Sequence, residues 1–386
     1  MSLFSSQFSY LGVDFDTHST KIAELKNEMS RPRLISYGYF DHEVDYQPDK
    51  SKDNIKEIAN TIKAVVKKAG MTTKTAVSAL PAFSVFSSVI TIPAMSKKEL
   101  AQAIRWEAKK VVPLALEEMN LHWDILDEIK IEEKLAEKTD KKEADKGAEE
   151  KKLSKIKLFS NRQDLFKIKR RPDNIKNIKV LLTAAPKNLV NKYINIFKGA
   201  GLTLLSLDTQ AFSLVRSLIG NDKSTVMIVD MEFGVSNVLI IQDGIPYLNR
   251  SVNVGGLTIT RAIANSLNIS LKRAEQFKYD IGISEGGGQG IPKTIETALA
   301  PIIDEIKYSI DLYKNQGGKA VEKVILTGGS SMLQNLPNYL AKILEMRVFL
   351  GDPWARVAYP EDLKMSLSEI GPRFAVAIGL AMKEIG

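Results

Sequence analysis

The chain has no cysteine. That excludes disulfides and thiolate metal sites, and it fits a reducing compartment. Its three histidines, His18, His42 and His122, show no metal-ligand spacing, and each reads as a surface or packing residue. No apolar run is long enough to span a bilayer. The N-terminus, MSLFSSQFSYLGVDF, lacks a basic region followed by an apolar core, so it does not read as a secretory signal. The expected location is the cytoplasm.

Positive charge is in excess but confined. The 386 residues carry a formal net charge of +8, and segment 130–179 alone holds 17 Lys/Arg against 10 Asp/Glu. The remainder is near neutral, which argues against a nucleic-acid-binding face. Residues 130–152 alternate Lys and Glu with almost no large apolar side chain and read as a solvated insert. The stretch LSKIKLFSNRQDLFKIKRR (153–171) mixes cations with large apolar residues. It reads as a loop with ordinary anchors, because no helical period runs through it. The competing reading is a basic amphipathic patch touching anionic lipid.

A chain of this length and ordinary apolar content builds two or more cores. Its pattern is α/β. LGVDFDTHSTKIAEL (11–25) reads as two strands around a tight turn, and RPRLISYGYF as a third strand. A helix is expected over 52–68, ended by Gly70, then a strand at TAVSAL. VFSSVITI is a strand, and Ser96 with Glu99 forms a capping box for the next helix. Further on, TVMIVD is a strand ending in an acid, followed by a hairpin turning at Asp243-Gly244. A flexible loop at EGGGQG (285–290), a long helix, and VEKVILTGG as strand then glycine turn complete the pattern, with a helix from Met332 onward. The last element is an apolar helix over 374–382. IVDMEFGVSNVLII (228–241) repeats the layout of 11–25: strand, Asp, turn, hydroxyl, strand. A duplicated hairpin in an α/β chain implies two similar lobes facing across a cleft.

Two facing hairpins can hold a polyphosphate. Backbone N–H groups and Ser/Thr hydroxyls bind its oxygens, Asp14 and Asp230 can position Mg²⁺ largely through water, and Lys21 offsets phosphate charge. LTGGSSML (326–333) suits the nucleoside, since Gly328 and Gly329 let the backbone approach a flat ring or ribose.

The order hairpin, hairpin, strand-Gly-Gly-Ser resembles the actin-like ATPase superfamily. Within it the chain is similar, nearly end to end, to the PilM family of type IV pilus assembly proteins, which is close to the division protein FtsA. SVFSSVITIPAMSKKELAQAIRWEAKKVVPLALEEMNLHWDIL is the most specific stretch, and NRSVNVGGLTITRAIA, SLKRAEQFK, IIDEIKYSIDLYKNQGG and VEKVILTGGSSMLQNLPNYL also resemble that family. The insert at 130–179 departs from it. The resemblance implies a ribonuclease H-like two-lobe fold with duplicated mixed sheets and an FtsA-type extra subdomain in the first lobe. The expected divisions are 1–80 with 187–210 and 368–386 (first lobe core), 81–186 (extra subdomain), 211–256 with 321–367 (second lobe core) and 257–320 (small helical subdomain).

The resemblance also implies roles. Asp14, Ser19 and Lys21 match the first phosphate hairpin; Asp230, Ser236 and Asn237 match the second. Gly255 and Gly256 match a glycine turn near the phosphates, and Glu275 and Lys278 match residues reaching the nucleoside. Gly328, Gly329 and Ser330 match the adenosine motif, and Asp208 matches an acid close to the metal. ATP and Mg²⁺ are the implied cofactors. Both hairpins of the family usually read Asp-x-Gly, yet this chain has Asp16 and Glu232 at those glycines. A charge about 4 Å from a like charge costs about 1 to 4 kcal/mol. The two acids therefore either weaken or abolish ATP binding, or turn outward or help hold a cation.

The implied function is a cytoplasmic scaffold, peripheral to the inner membrane, that docks the N-terminal peptide of a PilN-like membrane protein with at most a weak ATPase activity. Phe83, Val85, Phe86, Arg105 and Pro113 lie in the stretch expected to border that peptide groove. The alternative is an FtsA-like membrane-tethered protein that polymerises. The end of the sequence just after the last core helix counts against it, while 153–171 could substitute as a tether. A small-molecule kinase on the same fold needs a carboxylate base beside the transferred phosphate, and no acid is assignable to that role.

Overall fold

The structure is a computed structural model, and it describes residues 8–16, 18–29, 31–44, 54–93, 95, 97–112, 114–126, 157–158, 177–283 and 290–385. The chain opens with three antiparallel strands, β1 (Ser9–Phe15), β2 (Ser19–Glu28) and β3 (Arg31–Asp41). Helix Ile55–Lys68 follows, burying Ala59, Ile62 and Val65. It ends at Ala69, where Gly70 takes a positive φ of 63° and donates to the Lys67 carbonyl. Strand β4 (Thr75–Leu80) then pairs parallel to β1.

At Pro81 the chain leaves this sheet. β5 (Phe86–Pro93), β6 (Met119–Ile125) and β8 (Asn177–Pro186) form a separate three-stranded antiparallel sheet, ordered β5-β8-β6. Helix Lys97–Val111 packs Leu100, Ile104 and Ala108 onto it. The capping Ser96 and most of the charged insert lie outside the described residues. From the basic stretch read as a loop, the two described residues form β7 (Lys157–Leu158), which pairs parallel to the first-lobe strand β9 (Thr203–Thr209). Helix Lys187–Ala200 leads into β9, which sits beside β4.

The second sheet repeats the first. Strands β10 (Val226–Met231), β11 (Ser236–Gln242) and β12 (Ile245–Val252) form a meander whose β11–β12 turn is Asp243-Gly244, both at positive φ. β13 (Lys323–Thr327) joins parallel to β10, and β14 (Arg347–Leu350) parallel to β13. The orders β3-β2-β1-β4-β9-β7 and β12-β11-β10-β13-β14 share one plan: hairpin meander, then parallel strands. Helices Gly256–Leu267, Leu271–Ile281 and Ile291–Asn315 cover the second sheet, burying Ile259, Ile263, Ile295, Leu299, Ile302 and Ile306. The loop at 285–289 lies outside the described residues. After the glycine turn the chain makes a 3-10 turn, Gly329–Met332, so the next helix starts at Leu336 rather than Met332: Asn335 adopts a left-handed backbone first.

Between the sheets runs helix Ala375–Met382, buried along its whole length. Its Val376 and Leu380 pack with Val77, Leu214, Ile228 and Ile241 from both lobes. Here it crosses helix Gln210–Leu214, which widens into a π turn, Val215–Ile219. A Cβ at Gly379 would lie 1.9 Å from the Ser213 carbonyl oxygen, so only glycine lets the two backbones meet.

Candidate functional site

The two hairpins have the same register. Asp14 pairs with Lys21 across β1–β2, and Asp230 pairs with Asn237 across β10–β11. Both turns close the same way, Asp16 N–H on the Ser19 carbonyl at 2.9 Å and Glu232 N–H on the Val235 carbonyl at 3.0 Å. Asp16 and Glu232 thus occupy equivalent positions, two residues past the strand-end aspartates, as the sequence repeat requires.

Both acids are engaged, Glu232 inside the cleft and Asp16, itself exposed, on its own turn. The Asp16 carboxylate folds back over its own turn and accepts from the N–H of His18 (2.6 Å), the N–H of Ser19 (2.7 Å) and the Ser19 hydroxyl (3.1 Å). Converging backbone N–H groups of this kind form an anion cradle, and here a side chain fills it. Glu232 reaches across the cleft to Lys21, with Nζ at 3.2 Å from Oε1 and 3.0 Å from Oε2. Lys21 also donates to Asp14 at 3.3 Å and is 2% exposed. Burial works against its ammonium, but Glu232, Asp14 and Asp16 together hold its pKa above that of free lysine. Burial first, then carboxylate neighbours, pushes the Asp230 carboxyl up to about 6 and that of Glu232 to about 8, against the pull of Lys21. Asp14 shifts upward for the same leading reason.

Above these groups the turn tips touch. The His18 ring stacks on Phe233 with centroids 3.4 Å apart and planes 10° from parallel. Burial lowers the His18 pKa, which favours the neutral ring for such a stack. His18, Glu232 and Phe233 form a wall shared by two cavities. One, about 370 Å³, contains Ser19, Lys21, Glu275, Lys278, Gly329 and Ser330 of the expected nucleotide residues, together with Asp41, His42, Tyr279 and Arg373. The other, about 280 Å³, contains Asp14 and Asn237 with Asp16, Gln210, Phe15, Tyr193 and Phe83.

The remaining expected residues lie behind these walls. Asp230 is buried beside Asn237, whose Nδ2 is 3.5 Å from it. Asn237 in turn accepts from the Ser251 hydroxyl, and the Ser236 hydroxyl donates to the Val254 carbonyl. Gly256 N–H donates to the Glu232 carbonyl and Leu257 N–H to that of Phe233, so the helix start is capped by the hairpin turn. A Cβ on Gly255 would lie 2.5 and 2.7 Å from those two carbonyl oxygens. Lys278 pairs with Glu275 at 2.7 Å, and burial lowers its pKa. Gly328 N–H donates to Pro372, and the Ser330 hydroxyl to Glu232 O.

Asp208 is not brought to the cleft. Its carboxylate is held by Arg216, by Lys383 at 3.8 Å and by the Thr209 N–H, a buried anion between two cations. Burial opposes its ionisation, yet those cations hold its pKa well below the ordinary carboxylate range. Among the described residues no group of three or more His, Asp or Glu is placed to hold an ion. Asp14 is committed to Lys21. The expected groove residues also separate. Phe83 is exposed beside the second cavity, Val85 is in the first-lobe core, Phe86 packs on the three-stranded sheet, Arg105 faces solvent, and Pro113 lies outside the described residues.

Sequence reasoning did not place His18 and Phe233 in the cleft. The available signal was a flat ring at the tip of both hairpins. Arg373, which pairs with Asp41 at the rim, carried no local signal.

A polyphosphate with Mg²⁺ fits this arrangement poorly. The N–H cradle and the lysine are already satisfied by carboxylates, and the stack separates the nucleoside side from the aspartate side.

The model of the family described as "Type IV pilus assembly protein PilM" matches residues 12–141 and 161–385. A chain of the "PilM-PilN type IV pilus biogenesis complex" superposes with a TM-score of 0.76 at 23% identity, over 98% of this chain and 99% of that one. The ethanolamine utilization protein EutJ from Carboxydothermus hydrogenoformans superposes with a TM-score of 0.51 at 14% identity, over 98% and 90%. Among curated proteins, the cell division protein FtsA of Neisseria meningitidis serogroup B is 25% identical over 177 residues, 40% of this chain and 41% of FtsA. That of Agrobacterium fabrum is 24% identical over 176 residues, 39% and 38%. The chain thus spans about two fifths of the length of the curated relatives it matches. The fold is the actin-like two-lobe α/β fold, and the chain belongs to the PilM family of type IV pilus assembly proteins.

Proposed function

We propose that the protein is a cytoplasmic scaffold of a type IV pilus machine, peripheral to the inner membrane, that docks the N-terminal peptide of a PilN-like membrane protein. The observation that carries this is the family match over almost the whole chain, joined to the likeness to a chain of a PilM-PilN complex. Such a role asks for an intact surface rather than for turnover, and it agrees with a cleft whose phosphate ligands are already engaged. Peptide capture would involve the subdomain 81–186, within which Phe83 and Arg105 expose their side chains. The other divisions proposed are 1–80 with 187–210 and 368–386, 211–256 with 321–367, and 257–320; the strand membership of the two large sheets supports the two lobe cores, except that β7, from within 81–186, joins the first sheet.

The test is fluorescence anisotropy with a labelled peptide copying the cytoplasmic N-terminus of the PilN-like protein from the same genome. Saturable binding that weakens in a Phe83→Ala, Arg105→Ala variant is expected. No saturation by a concentration of about 1 mM, the weak end of the affinity scale, would remove this reading.

A further inference from the structure

Three contacts join the turn of one hairpin to that of the other or fill it from within. Asp16 takes the N–H groups of His18 and Ser19. Glu232 crosses 211 positions of sequence to reach Lys21. Phe233 stacks on His18. We infer that Asp16 and Glu232 are a built-in replacement for a polyphosphate, forming with Lys21, His18 and Phe233 a clasp that holds the two lobes closed without nucleotide. This inference does not depend on the partner peptide.

The physical argument is one of satisfied groups. Backbone N–H groups converging at a turn need an acceptor, and a carboxylate supplies charge-assisted bonds. A lysine that is 2% exposed needs a counter-ion. A ligand could supply both. Here each need is met by the one residue that stands two positions past its strand-end aspartate, in both hairpins. The replacement is therefore paired: one acid serves the cradle, the other serves the lysine.

The same arrangement works against a bound polyphosphate. Asp14, Asp16, Asp230 and Glu232 all act on Lys21 or on one another, and a triphosphate adds several more negative charges. Each like-charge neighbour adds repulsion, and one already neutralised lysine returns little against it. The His18–Phe233 stack adds a steric obstacle along the line between the two cavities. An ordinary two-lobe clamp closes on its ligand; this one is closed by its own side chains.

The absence of native cysteine permits a direct test. Spin labels at Lys63→Cys and Lys307→Cys, exposed on helices of opposite lobes, report the interlobe distance by double electron–electron resonance. The parent should give one narrow distance distribution that does not respond to millimolar Mg-ATP. The Asp16→Gly, Glu232→Gly variant should broaden without nucleotide. Because glycines in both turns could also compromise folding, the near-isosteric pair Asp16→Asn, Glu232→Gln serves as a second variant and should broaden in the same direction. A parent distribution that narrows or shifts with Mg-ATP overturns the inference. So do folded variants whose distributions match the parent's. A failed peptide titration would leave these distances unchanged, so the two readings fail separately.

Discussion

Lys21 and Glu232 meet across the cleft with Nζ and Oε2 3.0 Å apart, the first from β2 of one lobe and the second from the turn after β10 of the other. Nothing in either local sequence requires the contact. It exists because two copies of one hairpin face each other, so that the residue replacing a glycine in one copy comes opposite the lysine of the other. A partly exposed pair would contribute little. With Lys21 buried at 2% exposure, losing Glu232 leaves its ammonium with Asp14 alone as a close carboxylate.

This cluster makes stability depend on pH in a defined direction. Asp230 and Glu232 titrate near about 6 and about 8 in the folded chain, above the ordinary carboxylate values of the unfolded one. Between those limits the native state binds more protons than the unfolded state, so stability falls as pH rises. Lys21 does not reverse the trend. Its folded pKa lies above that of free lysine, so its contribution is intact across this window and is lost only at higher pH. Urea midpoints should therefore decline from the ordinary carboxylate range up to about pH 8 and level off above it, and Glu232→Gln should flatten the part between about pH 6 and about pH 8. A midpoint that rises with pH over this range, or an identical slope in the variant, would contradict the assignment.

Asp208 should prove structural. Replacing it with alanine leaves Arg216 and Lys383 buried without that carboxylate, where the loss of one partner of a buried ion pair costs about 3–5 kcal/mol. Denaturant unfolding measures this directly. The parent should also lose this contribution as pH falls through a folded pKa depressed below the ordinary range, a step the Asp208→Ala variant lacks.

Two glycines of the cleft should respond oppositely to alanine. At Gly255 the new methyl would meet two backbone carbonyl oxygens at 2.5 and 2.7 Å. The helix start cannot then keep its place on the hairpin turn, and overpacking of this kind costs about 1–3 kcal/mol. At Gly329 the methyl would meet only the Arg373 side chain at 3.7 Å, ordinary contact, so Gly329→Ala should be close to neutral. Thermal unfolding of the two variants side by side distinguishes them.

Much of the fold was legible because its signals are local. The alternation of β1, the apolar run of β10, the Asp243-Gly244 turn and the apolar stripe of helix Ile291–Asn315 each lie within one segment. The short edge strand β14 carried no such signal, and the helix expected from Met332 starts later because Asn335 interrupts it with a left-handed backbone. The candidate site was legible only in part. The hairpin repeat exposed Asp16 and Glu232 as substitutions, but what their carboxylates touch was not readable. Asp208 shows the same limit: the family resemblance suggested the cleft, while Arg216 and Lys383, which come from a π turn and a helix end, hold it elsewhere.

By itself the sequence determined that there are two copies of one hairpin, a glycine turn, and an acid in each place where a phosphate hairpin usually has glycine. Those are properties of spacing and residue type, and spacing is preserved along the chain. Only the tertiary structure decided that Glu232 reaches the opposite lobe's lysine, while Asp16, which stays exposed, folds onto its own turn. A buried ammonium takes the carboxylates that folding brings to it, and for Lys21 one of these comes from the other lobe.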